Sequence, residues 1–186
     1  MERATMNILV TLNSGYIPPL KVMLASLLAH NEEQVRVYIL HHSLSAEELS
    51  QVQRVLGERG TVESVWVDDE MLAEAPVTDR YPREMYYRIF AARYLPEDLE
   101  RVLYLDPDLV VNGPLDELYE LELGDHYFAA ASHVKGSMQK INEMRLEMEE
   151  PGPYINSGVM LMNLALLRRE QDYDEVFRYI ESHRKV

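Results

Sequence analysis

The sequence predicts an α/β fold with a mostly parallel central sheet flanked by helices. Three observations carry this. The first 67 residues alternate short apolar runs with stretches of helical spacing, in the order β-α-β-α-β. Strands that alternate with helices in this way form parallel sheets through right-handed crossovers. At least two later apolar runs, around Leu103 and Leu161, add further strands. Polar segments recur beside strands, which is where open α/β sheets place their ligands.

In chain order, Met6 to Leu12 is an apolar run closed by Asn13, Ser14 and Gly15, a buried strand entering a loop. After Pro18 and Pro19, Leu20, Met23, Leu24, Leu27 and Leu28 fall at helical spacing. Proline is tolerated in a first helical turn, where amides lack partners anyway. Val35 to Leu40 is the second strand. Ser45 and Glu48 match a capping box, opening a helix through Leu49, Val52, Val55 and Leu56 that stops at Gly57. Val62 to Val67 is the third strand. Pro82 to Tyr94 reads as one helix, stopped by Pro96. Arg101 to Leu105 is a strand with Asp106-Pro107-Asp108 at its end, and Leu109 to Val111 reads as a resumed extended segment. Tyr127 to Ser132 is a strand. Residues 135–149 read as a Met-bearing helix and Pro151-Gly152-Pro153 as a break. Tyr154 to Gly158 leads into the strand Val159 to Met162, and two short helices follow, Leu164 to Leu167 and Tyr173 to Ile180. Neither a repeat nor a long linker divides the chain, so residues 1–186 are read as a single domain.

Composition narrows the partners. Apolar residues make up 47% of the chain, enough for a core, while the formal net charge is −14. Nucleic-acid binding depends on basic surface that displaces counterions, so no nucleic-acid partner is expected. With no Cys, disulfides and thiolate metal sites are excluded. No apolar run approaches the ~18 residues of a membrane span. A cytoplasmic protein without a transmembrane segment is therefore expected. A phosphorylated ligand would meet a repulsive field and would need a local cation.

Asp106 and Asp108 supply a place for one. Two carboxylates one residue apart repel each other, and a hard divalent cation removes that conflict. Mg²⁺ takes one or two carboxylates plus phosphate oxygens, and Mn²⁺ accepts the same ligands. At about 4 Å and an effective dielectric near 20, each unit-charge pair is worth about 4 kcal/mol, enough to outweigh the acidic field locally. Asp-Pro-Asp is also ordinary turn chemistry. Arg88 reads either as a surface or capping residue or as a site residue on a Tyr-rich helix. Tyr16 reads as packing or as an aromatic plane for a base. Asn156, before Ser157 and Gly158, reads as a turn residue or a polar contact. His41 and His42 should point apart on extended chain, so no metal site is expected there. Trp66 is read as core or sheet surface, and Met138, Met144 and Met148 as an adaptable apolar face.

Four segments, in order, resemble the retaining glycosyltransferases of family 8, the galactosyltransferase and glycogenin-like group. They are Asn7 to Tyr16, Met85 to Arg88, Arg101 to Val110 and Tyr154 to Leu164. The resemblance implies a Rossmann-like nucleotide-diphospho-sugar transferase fold. It implies transfer of a hexose from a UDP-sugar, UDP-glucose or UDP-galactose, to a glycan or other hydroxyl acceptor with retention. By this likeness Asp106 and Asp108 would bind Mn²⁺ or Mg²⁺, and Asp106 and Pro107 would meet the nucleotide. Tyr16 would stack on uracil and Asn13 would contact it, with Thr11 and Leu12 lining the pocket. Arg88 would bridge the donor and the acidic motif. Asn156 would hydrogen-bond the donor sugar, and Ser157 and Gly158 would shape that wall. The sequence departs from the family where Asn13 replaces the usual Asp and Gly15 the usual Asn. It also lacks the family's Asp-Gln segment and its late His and Lys motif. The chain is therefore expected to be either a C-terminally truncated piece of a family domain or a shortened, inactive relative. A non-catalytic nucleotide-sugar-binding domain stands as the alternative, and a nucleotidyltransferase as a weaker third, since the first strand lacks a Gly- and basic-rich loop.

Overall fold

The computed structural model describes residues 5–68, 70–72, 83–132 and 155–182. Six strands form a single sheet in the order β3-β2-β1-β4-β6-β5. They are β1 Thr5–Thr11, β2 Gln34–His41, β3 Gly60–Trp66, β4 Arg101–Leu105, β5 Phe128–Ser132 and β6 Ile155–Asn163. β3, β2, β1 and β4 run parallel. β6 is antiparallel to both β4 and β5. The mostly parallel sheet expected from the sequence is present. The strand order reverses between β1 and β4, so the crevice there opens at their carboxyl ends.

Alternation along the strands feeds two cores. Ile8, Val10, Val37, Ile39, Leu103 and Leu105 face one side, against α1 (Ile17–His30) and α2 (Ala46–Leu56). Leu9, Tyr38, Leu40, Val102 and Tyr104 face the other. There they meet α3 (Glu84–Tyr87), α4 (Ala91–Tyr94), α6 (Leu164–Glu170) and α7 (Tyr173–Ser182). Burial on both faces explains why these strands read as continuous apolar runs. α5 (Asp116–Tyr119) follows β4. The capping box at α2 forms as expected, with Ser45 Oγ accepting from the Glu48 amide and Glu48 accepting from Ser45. Those hydrogen bonds pull the Glu48 carboxyl down to about 2. Gly57 ends α2 at φ 56°, a conformation that costs glycine little.

Two segments differ from expectation. The predicted helix Pro82 to Tyr94 is described from Arg83 onward, and it is divided: a 3₁₀ turn, Arg88–Phe90, separates α3 from α4. Phe90 leaves helical geometry at φ −99° and ψ 11°, while its ring stacks on Tyr173 and Phe177 of α7. Tertiary packing thus overrides the local helical pattern. Leu109 to Val111 does not join the sheet. The Val111 amide instead donates to Ser26 on α1. Trp66 closes β3 at the sheet edge and is 63% exposed. Arg168 on α6 donates to the carbonyls of Ala92, Leu95, Pro96, Glu97 and Leu99, tying off the end of α4. The helix expected over 135–149, with its methionines, lies outside the described residues, as do the break at 151–153 and Tyr154. No helix among the described residues is long and apolar enough to cross a membrane.

Candidate functional site

A cleft of about 460 Å³ opens at the carboxyl ends of β1 and β4. Thr11, Leu12, Asn13, Tyr16, Arg88, Asp106, Pro107, Asp108 and Ser157 all line it. Asn156 and Gly158 flank it on β6. The loop Asn13 to Tyr16 after β1 and the Asp106-Pro107-Asp108 turn after β4 meet here, and Asn156 to Gly158 joins them. Because β6 runs antiparallel, its first residues, not its last, reach this edge beside Leu105 and Asp106.

Asp106 is the most constrained of these groups. Its amide donates to the Gly158 carbonyl at 2.8 Å. Its Oδ1 accepts from the Tyr104 hydroxyl at 2.7 Å and from Arg88 Nη1 at 3.2 Å. The same Arg88 nitrogen donates to Tyr104 Oη at 3.2 Å and to the Ser157 carbonyl at 3.3 Å. The guanidinium also lies 5.2 Å from the centre of the Tyr104 ring, within cation–π range. Arg88 is thus bonded into the site, not a surface cap. Among the described residues its Nε and Nη2 make no hydrogen bond, which leaves donors to spare on a residue that lines the cleft.

Tyr104 was not singled out by sequence. It lies two residues before Asp106, on the same side of an extended chain, and that periodicity was the available signal. Its hydroxyl also meets Thr11 Oγ1 at 3.5 Å. Burial pushes this phenol up to about 12, with Arg88 opposing and Asp106 adding to the rise. It therefore keeps its proton at neutral pH and remains a donor to Asp106. Glu84 and Met85 also line the cleft and were likewise not singled out.

Gly158 leaves room for the Asp106 carboxylate as it stands. A Cβ there would stand 2.6 Å from Asp106 Oδ2 and 3.2 Å from Asn156 Oδ1. Asn156 Oδ1 accepts from the Gly158 amide at 3.0 Å, so this residue serves the turn while its amide group remains exposed. Asn13 Oδ1 accepts from the Gly15 amide, capping the short 3₁₀ turn Ser14–Tyr16. The Leu12 amide donates to the Leu40 carbonyl, and Tyr16 is half-buried against the α1-side core.

The donor set fits a hard divalent cation in part. Among the described residues Asp106 Oδ2 carries no hydrogen bond, and the exposed Asp108 has no partner. Two carboxylates with open oxygens match the protein share of a Mg²⁺ or Mn²⁺ shell, whose remaining ligands come from phosphate and water. No cluster of three or more acidic, His or Cys ligands occurs among the described residues. Asp172 caps α7 by accepting from the amides of Asp174 and Glu175. His41 is buried between Ser64 and the Leu44 amide, while His42 turns toward Tyr87 and Glu84.

A second, mainly apolar cleft of about 660 Å³ shares Arg88 and Ser157 with the first and runs over Ile89, Met160 and Val176. It lies beside the acidic motif without containing it.

The model of the family described as "Glycosyl transferase family 8" matches residues 7–186. A lipopolysaccharide 1,2-glucosyltransferase of Escherichia coli is 31% identical over 165 residues, covering 88% of this chain and 49% of the relative. A lipopolysaccharide 1,3-galactosyltransferase of Salmonella typhimurium is 26% identical, covering 88% and 50%. The chain thus spans about half the length of these curated relatives. Among solved structures, the galactosyltransferase LgtC in complex with donor and acceptor sugar analogs superposes with a TM-score of 0.87 at 26% identity, covering 97% of this chain and 66% of that one.

Proposed function

Because this chain belongs to glycosyl transferase family 8, we propose that it moves a hexose from a UDP-sugar, UDP-glucose or UDP-galactose, to a glycan or other hydroxyl acceptor with retention of configuration. The observation that carries this reading is the fixing of Asp106 by Tyr104, Arg88 and the Gly158 carbonyl at the point where the strand order reverses. Relatives that act on lipopolysaccharide with glucosyl and galactosyl chemistry support the choice of hexose.

In this reading Asp106 and Asp108 hold Mn²⁺ or Mg²⁺, which when bound would neutralise diphosphate charge as a Lewis acid. The protein's own residues do the positioning. Tyr16 offers a ring for the base at the end of β1, with Thr11, Leu12 and Asn13 around it. Arg88 spends one nitrogen on the protein and turns its other N–H groups toward the leaving diphosphate. Asn156 offers its amide group to the donor sugar, and Ser157 and Gly158 bring the backbone close to it. The diphosphate leaves on the face from which the acceptor hydroxyl arrives and helps take its proton. Catalysis is then a matter of orientation and fixed charge.

Calorimetry of UDP with Mn²⁺ and with EDTA, alongside hydrolysis of UDP-glucose and UDP-galactose, tests this. Chelation should weaken UDP binding at least tenfold, and Asp106→Asn should reproduce that loss, about 1.4 kcal/mol or more. Equal UDP affinity with and without chelator would refute the metal role. Binding without turnover would favour the non-catalytic, nucleotide-sugar-binding alternative.

A further inference from the structure

The cleft contains a third acid that neither the metal motif nor the transfer chemistry uses. Glu84 opens α3 and is 6% exposed, yet it lines the cleft. Among the described residues its carboxylate makes no hydrogen bond. Its nearest polar partner is His42 Nδ1 at 3.6 Å, too long for one. That nitrogen is already engaged with the Tyr87 hydroxyl at 3.0 Å. A largely buried carboxylate without a donor is costly. Its oxygens are not sealed from the cleft, so a ligand donor can reach them there and satisfy them.

Position narrows what that partner is. α3 packs on β1 and β2, whereas Asp106 and Asp108 extend from β4 on the other side of β1. Glu84, beside His42 at the end of β2, therefore lies toward the β1–β2 side of the cleft, which Asn13 and Tyr16 enter from the end of β1. On that side one acceptor is already spent: Asn13 Oδ1 caps the Gly15 amide at 3.0 Å. An ionised carboxylate only accepts hydrogen bonds. A uracil ring offers one imide N–H on its pairing edge, where cytosine offers a lone pair at the same position.

We infer that Glu84 reads the base, accepting a hydrogen bond from the uracil imide N–H and rejecting cytidine nucleotides. This rests on the UDP-sugar reading above. It makes Glu84 a specificity-determining residue with no part in the transfer step.

The test is equilibrium binding of UDP, CDP, N3-methyl-UDP and 2′-deoxy-UDP, with Mn²⁺, to the wild-type chain and to Glu84→Gln. A hydrogen bond to a charged group predicts that wild type prefers UDP over CDP and N3-methyl-UDP by roughly 10- to 100-fold. It predicts little change with 2′-deoxy-UDP. Glu84→Gln, whose amide can donate as well as accept, should lose about tenfold for UDP and bring UDP and CDP within about threefold. Wild type that binds N3-methyl-UDP as well as UDP overturns the inference. So does a variant that keeps the UDP-to-CDP ratio, or a wild-type defect confined to 2′-deoxy-UDP, which would assign the acid to the ribose. The wild-type comparison decides alone should the variant not fold. Absence of any UDP binding would overturn the UDP-sugar reading itself. UDP binding without base selectivity removes only the assignment of Glu84.

Discussion

On the β4–β6 wall of the cleft, Asp106 is 36% exposed in its side chain and is held by Tyr104, Arg88 and the Gly158 carbonyl. On the β1–β2 wall, the Glu84 side chain is only 8% exposed and is held by no hydrogen bond among the described residues. The acid with more water is thus the better satisfied by protein, which inverts the usual relation between burial and pairing. The difference is instructive. Groups that must be in place before a ligand arrives are fixed by the fold, which spares reorganisation at the moment of reaction. A group left to be satisfied by the ligand gains discrimination instead, because an analogue without the matching donor leaves it unpaired.

Breaking the fixed wall should have the largest effect. Gly158→Ala places a Cβ 2.6 Å from Asp106 Oδ2, so the carboxylate must shift. About 100-fold weaker UDP binding with Mn²⁺ is expected, near 2.7 kcal/mol, with a smaller change in melting temperature. Gly60→Ala is the contrasting change. Its Cβ would meet Val35 Cγ2 at 2.6 Å and the Val35 carbonyl at 2.7 Å, far from the acids. It should lower the melting temperature while leaving affinity of the folded fraction unchanged. Paired melting and calorimetry separate the two.

Tyr104→Phe weakens the same wall less, since Arg88 still reaches Asp106. About a tenfold loss in Mn²⁺-dependent UDP binding is expected. Combining it with Glu84→Gln sharpens the comparison. Independent walls predict free energies that add to within about 0.5 kcal/mol, and a larger coupling would show that the walls act as one.

The smallest effect is a pH dependence beneath the β1–β2 wall. Burial lowers the His41 pKa, with His42 lowering it further and Glu48 opposing. His41 Nδ1 accepts from the Leu44 amide, so Nε2 carries the proton and donates to Ser64. The folded pKa lies below the unfolded value of about 6.5. As pH falls through that value the unfolded chain binds the proton first, so stability is lost on acidification and retained above it. Melting at pH 7.5 and 5.5 should differ by about 2 °C or less from this group. His41→Gln should flatten that part of the slope.

Much of this was legible in the sequence because it is local. Strand periodicity, the capping box and the acidic turn are each set by residues a few positions apart. The convergence of Asn156 to Gly158 on Asp106 was not, because nothing in a single apolar run states that it pairs antiparallel. Tyr104 was legible in principle, through its two-residue spacing from Asp106. Glu84 was not. An acid in a first helical turn reads as a favourable charge at the helix N-terminus, and its burial depends on packing against strands some 45 to 75 residues earlier in the chain. The continuous helix expected through Tyr94 gave way for the same reason, at a phenylalanine claimed by α7.

Arg168 and Arg88 together have a mechanical consequence. One follows the end of β6 and grips carbonyls from Ala92 to Leu99. The other precedes α4 and grips the Ser157 carbonyl at the start of β6. Gln171 adds a tie to the Ile89 carbonyl between them. A strip fastened at one end can pivot, but a strip fastened at both ends cannot. The strand that carries Asn156 to Gly158 and the helical segment that carries Arg88 are thereby braced against rotation as one truss. The short 3₁₀ turn at Arg88 to Phe90 is its bent member, and load applied at Arg88 is shared with a fastening at the opposite end of the sheet.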